Sequence, residues 1–106
     1  MILPLYKDQI PYQFELELDG EVYTFELHYN GEYDFFTIDL TLNDEVIVYG
    51  DKLMLNKPLF STYTDRRIPK TPIIPRDPSN TETRITHANF GETVLLYVGE
   101  ANAVQT

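Results

Sequence analysis

Tyr12-Gln-Phe-Glu-Leu-Glu-Leu18 and Glu21-Val-Tyr-Thr-Phe-Glu-Leu27 alternate apolar and polar residues on either side of Asp19-Gly20. Asp-Gly between two alternating runs is among the strongest short-range signals for a two-residue hairpin. Folding the chain there sets Leu16 against Tyr23, Phe14 against Phe25 and Tyr12 against Leu27. The opposite face takes Glu17 with Val22, Glu15 with Thr24 and Gln13 with Glu26. One face is wholly apolar and the other almost wholly polar, and a slip of one residue would exchange them, so the register is well specified.

The pattern continues beyond Tyr29. A two-residue Asn30-Gly31 turn would set Asp34 against Leu27 and bury a lone carboxylate, which is costly. A four-residue loop over 30–33 instead pairs Leu27 with Phe36, Phe25 with Ile38 and Tyr23 with Leu40, and is the expected arrangement. A turn at Asn43-Asp44 then opposes Leu40 to Ile47 and Ile38 to Tyr49, leaving Thr41 and Asp39 near Val46 and Val48. The reading is all-β, a single small domain built on an antiparallel meander with strands at about 12–18, 21–29, 34–42 and 45–50. The last of these is apolar on both faces, which calls for something to cover its second side.

Past Asp51 the signal weakens. Residues 52–61 suggest a further strand or a bent pair. From Thr64 to Asn80 the chain carries four prolines in seventeen residues. Proline removes a ladder donor, so 64–80 reads as an extended connection, one long enough to suggest a functional role. Ile73 and Ile74 sit in its middle as apolar anchors, and Arg66, Arg67, Lys70 and Arg76 supply positive charge. These six residues are the expected partner-docking set, on a loop projecting from the domain and ordered by neighbouring subunits. Glu92-Thr-Val-Leu-Leu-Tyr-Val98 reads as a buried strand over about 93–98 that closes the sheet into a barrel or sandwich, with a weaker strand at 82–86. The polar stretch 99–106 reads as a tail.

With 106 residues the chain suffices for one domain that buries roughly two-thirds of its unfolded surface. It has no cysteine, which removes disulfides and thiolate metal sites and fits a reducing compartment. The opening apolar run is too short for a secretory leader, and no stretch approaches the ~20 apolar residues of a membrane span. A soluble protein made in the cytoplasm, with no membrane partner, is expected. The net charge of −9 falls on residues 1–60, where three lysines face twelve acidic groups. Residues 61–106 balance, and Arg66 to Arg76 contains no acid. So acidic a chain does not point to nucleic acid as its specific partner. The asymmetry reads either as a solvated acidic sheet beside a basic loop, or as a basic loop that docks on an acidic neighbour or on another copy of the chain.

The residues offer little chemistry. His28 shares the polar face with Thr24 and Glu26 and shows no second ligand at metal spacing; His87 lies in a loop. Neither stands near a nucleophile as a triad would require. Glu15, Glu17, Glu26 and Asp39 are spaced as strand alternation spaces a solvated face. The expectation is therefore no catalytic residue, no metal and no cofactor. Most of the eight tyrosines and six phenylalanines fall on the apolar face, while Tyr6, Tyr33, Tyr49 and Tyr63 are candidates for an interface.

The order Ile10-Pro11, Phe14, Leu18-Asp19-Gly20, Tyr23, Leu27, Tyr29-Asn30, Asp34, Phe36, Asp39-Leu40 resembles the baseplate plug proteins of phage tails. Gly50 with Leu53, and Gly91 with Leu95 and Tyr97, resemble that family's later pattern. The match is dense over 10–50, thin over 51–63 and patchy beyond, and the basic Pro-rich stretch departs from it. The resemblance implies a structural, non-enzymatic virion protein of the tail baseplate or tail tip. Such a protein plugs or lines the central channel between tail tube, hub and spike, and is expected to form a homo-oligomer within that assembly. An acidic surface suits a channel through which DNA passes without sticking. The alternative is a small β-sandwich adaptor at a tail tip that binds carbohydrate or a receptor.

Overall fold

A computed structural model describes residues 2–3 and 6–99; the tail expected at 99–106 lies outside these apart from Gly99. The strands are β1 (Ile2–Leu3), β2 (Tyr12–Leu18), β3 (Glu21–Asn30), β4 (Phe35–Leu42), β5 (Glu45–Lys52), β6 (Ile73–Arg76) and β7 (Leu95–Val98), with one 3₁₀ turn at Lys7–Gln9. No helix among the described residues is long and apolar enough to cross a membrane. The meander β2-β3-β4-β5 forms a four-stranded antiparallel sheet. Its first hairpin has the register that the alternation dictates, with Tyr12 opposite Leu27, Phe14 opposite Phe25 and Leu16 opposite Tyr23. Asp19 (φ 54°) and Gly20 (φ 83°) both take the left-handed conformation that a type I′ turn requires.

The second hairpin departs from expectation by two residues in register. Its four-residue loop is 31–34, so Leu27 faces Ile38, Phe25 faces Leu40, Tyr23 faces Leu42 and Asn30 faces Phe35. The shift is even, so the apolar face is preserved. Local polar chemistry selects it. Asn30 Oδ1 accepts from the amides of Glu32 and Tyr33, while Asp34 adopts φ 58° and accepts the Tyr29 hydroxyl at 2.7 Å and the His87 amide at 2.9 Å. Asp34 is thus a loop residue and its carboxylate is satisfied there.

The third hairpin turns at Asn43-Asp44, and Leu42–Glu45 and Thr41–Val46 pair as expected. The register then shifts twice, so that Leu40 faces Val48 and Ile38 faces Asp51. These bulges add residues to β5 and re-aim its side chains. Val48 is buried where Ile47 was expected, and Ile47 is half-buried. The cover expected over the second face of this strand is absent among the described residues: Val46 and Tyr49 are 54% and 80% exposed.

Of the two arrangements expected, barrel or sandwich, the sheets do not close into a barrel but face each other as two layers. β7 pairs with β1 and β6 in a separate three-stranded antiparallel sheet, ordered β1-β7-β6, and the two sheets share one core. Sequence reading missed β1, whose Ile2 faces Tyr97, and β6, whose Pro75 faces Leu96. A proline is tolerated in β6 because that strand is an edge. Its outer side is covered by backbone: the Asn56 and Leu59 amides donate to the Pro75 and Ile73 carbonyls at 2.7 and 2.9 Å. No strand forms at 82–86 or at 52–61 beyond Lys52; these segments instead lend Ile85, Leu53, Leu59 and Phe60 to the core. Phe25, Leu27, Phe36 and Leu40 of the large sheet meet Phe90, Val94 and Leu96 of the other layer, all fully buried. Phe14 and Leu16, expected in the core, are only half-buried because β2 is an edge strand.

Candidate functional site

Two regions hold the residues on which function was sought. The first is the Pro-rich stretch 64–80, which does not project. It is folded onto its own domain, because both its polar and its apolar groups find partners there. Ile73 and Ile74 are buried core residues of β6, not free anchors. Asp19, in the turn of the first hairpin, accepts the amides of Lys70 and Thr71 at 2.6 and 3.1 Å and the Thr71 hydroxyl at 2.7 Å. The Thr71 hydrogen bonds, foremost that from its hydroxyl, hold the Asp19 carboxyl below its ordinary range. The Tyr23 hydroxyl donates to the Arg67 carbonyl at 2.7 Å.

Of the four basic residues in the docking set, Arg67 is engaged within the chain. Its guanidinium lies 2.8 Å from Glu45 and 2.7 Å from Asp65, whose pKa falls to about 2 chiefly through its hydrogen bond with Arg67. The side chains of Arg66, Lys70 and Arg76 make no ion pair among the described residues, and Arg66 and Lys70 are exposed. Arg76 borders an open hollow with Asn56, Asp77, Asn80 and Tyr97. The four tyrosines singled out in the sequence, Tyr6, Tyr33, Tyr49 and Tyr63, are all exposed.

The second region is the outer face of the large sheet. Glu15 and Glu17 of β2 are exposed there, as the alternation requires. On β3 and β4 the register places Glu26 directly opposite Asp39. Like charges so placed oppose pairing. His28 stands beside both, its Nε2 3.2 Å from Asp39 Oδ2 and 3.7 Å from Glu26 Oε1. Asp39 is 8% exposed and its other oxygen accepts the amide of Gly50 at 2.8 Å, from the bulged part of β5. Sequence reading gave His28 no second ligand. Strand alternation signalled Glu26, but Asp39 comes from a cross-strand pairing that depended on the register of the second hairpin.

His87 is half-buried between aromatic rings, its centroid 4.9 Å from that of Tyr29 and 6.2 Å from that of Phe36. Its backbone amide donates to the Asp34 carboxylate at 2.9 Å. The arrangement accounts for this histidine as a packing group that ties the 85–90 segment to the second hairpin.

A protein-family model described as "Cyanophage baseplate Pam3 plug gp18" matches residues 1–101 of the chain. No curated protein matches it significantly.

Proposed function

Because this chain belongs to the cyanophage baseplate plug family, we propose that it is an architectural, non-catalytic component of the tail baseplate that plugs or lines the central channel between tail tube, hub and spike. The family match, which takes in both sheets and the Pro-rich stretch, carries this reading. Three physical features support it. The net charge of −9, with Glu15 and Glu17 exposed on the outer sheet face, makes a surface that DNA passes without adhering. The side chains of Arg66, Lys70 and Arg76 form no salt bridge among the described residues and lie on a segment already ordered by its own domain, so docking them on an acidic neighbour or a second copy costs little ordering entropy. Tyr6, Tyr33, Tyr49 and Tyr63 add amphipathic contact area of the kind that interfaces favour.

The test is assembly. Co-expressed with the tail-tube, hub and spike proteins of the same phage, the chain should co-purify with them and appear as density on the tail axis in reconstructions of complete tails. Arg66→Glu with Lys70→Glu should leave the melting temperature of the isolated chain nearly unchanged, since exposed charges contribute little to folding, yet reduce incorporation into tails. Density at the periphery of the tail tip would instead favour a receptor-binding adaptor, and normal, infective tails lacking the chain would overturn the plugging role.

A further inference from the structure

We propose that Glu26, His28 and Asp39 form a binding site for a divalent transition ion of the zinc type on the outer face of the large sheet. The donors are Glu26 Oε1, His28 Nε2 and Asp39 Oδ2, and one donor atom from each residue lies within 4.8 Å of the others. Ligands about 2.0–2.1 Å from a tetrahedral zinc are separated from one another by about 3.3 Å. The separations of 3.2 and 3.7 Å from His28 Nε2 already approach that spacing.

Three further features distinguish this trio from an ordinary acidic surface. Glu26 and Asp39 oppose each other across the β3–β4 ladder, a pairing of like charges that a cation between them would convert from repulsion to attraction. Asp39 is nearly buried and its free rotation is removed by the Gly50 amide, so Oδ2 is aimed at the imidazole by a supporting hydrogen bond, as outer-shell partners orient metal ligands. His28 and Glu26 are roughly two-fifths exposed, which leaves the remaining coordination positions open to water or to a donor from a neighbouring protein. One imidazole with two carboxylates selects zinc-type ions over Mg²⁺ and Ca²⁺, which prefer all-oxygen shells. Bound there, the ion would cross-link β3 and β4.

The proposal stands on these residues and does not depend on the baseplate role. The experiment uses the full chain, stripped with a chelator and titrated with Zn²⁺ by calorimetry and thermal melting, with Mg²⁺ and Ca²⁺ as comparisons. One equivalent should bind, and the melting temperature should rise by about 10 °C at a free Zn²⁺ concentration a hundredfold above the dissociation constant. His28→Ala and Glu26→Gln should each weaken binding by at least tenfold, while Glu15→Gln with Glu17→Gln should leave it unchanged. Asp39→Asn is less decisive because it also disturbs the Gly50 contact, so the first two variants carry the test. Absence of stoichiometric binding, or binding that survives His28→Ala, would overturn the proposal. So would equal binding of Mg²⁺, which would mark a diffuse acidic surface.

Discussion

Asp77 shows how one carboxylate organises the chain where secondary structure gives no help. It is buried, and it accepts the amides of Ser79, Thr81 and Glu82 at 2.9, 2.7 and 2.8 Å together with the hydroxyls of Ser79 and Thr81. These donors, foremost the Ser79 hydroxyl, hold its carboxyl well below the usual carboxylate range. A depressed folded-state pKa gives stabilisation that is complete above the unfolded value near 3.8 and is lost as pH falls towards the folded value. Asp77→Asn turns an amide NH₂ towards those donors, so it should lower the melting temperature at pH 7. The gap from wild type should narrow below about pH 4, where the native aspartate begins to lose its own advantage. Melts between pH 7 and pH 2 check this; a gap of constant size would contradict it. Asp65, held at about 2 by Arg67, titrates in the same window and adds to the acid sensitivity of the wild type.

The first hairpin sets the register of β2 on β3, and its turn also holds the Pro-rich stretch. A Cβ added at Gly20 meets nothing within 4 Å, so the cost of Gly20→Val is conformational, arising from φ 83°. A single L-residue forced into that region costs about 1–2 kcal/mol, somewhat more when β-branched. Denaturant melts should register a loss of this size with the core intact. Asp19→Ala leaves the turn but removes the acceptor for Lys70 and Thr71. Trypsin should then cut after Arg66, Arg67 or Lys70 faster than in the wild type, while the core transition changes little. Equal cleavage rates would mean that β6 pairing and the Tyr23–Arg67 contact alone hold the segment.

Across the whole molecule the two sheets are separate ladders over one core, so they should unfold together. Phe36 belongs to β4 and packs on Phe90, with ring centroids 4.5 Å apart, while Leu96 lies at the centre of the small sheet; all three are fully exposed only on unfolding. Phe36→Ala should cost about 3–5 kcal/mol and Leu96→Ala about 2–5 kcal/mol, large fractions of the stability of a domain this size. Calorimetry should find a single transition, displaced downwards in both variants. A low-temperature transition confined to Leu96→Ala would mean that the small sheet is an independent unit.

The sequence by itself determined whatever depends on neighbours along the chain. The Asp19-Gly20 turn, the alternation on either side of it, the turn at Asn43-Asp44 and the acidic outer face all follow from local backbone preference and period-two patterning. So did the order of residues that resembled the plug family. Tertiary structure decided the rest, because the competing terms were not local. The second hairpin moved by two residues to let Asp34 reach Tyr29 and His87, a partner 53 positions away. Ile73 and Ile74 read as exposed anchors until the edge of β7 and the amides of Asn56 and Leu59 gave a proline-containing segment a ladder to join. The two-residue β1 carries almost no signal of its own and exists through its pairing with a strand more than ninety residues distant. Asp39 joined Glu26 and His28 for the same reason: strand alternation fixes which face a side chain takes, but only the completed register fixes which side chain stands opposite it.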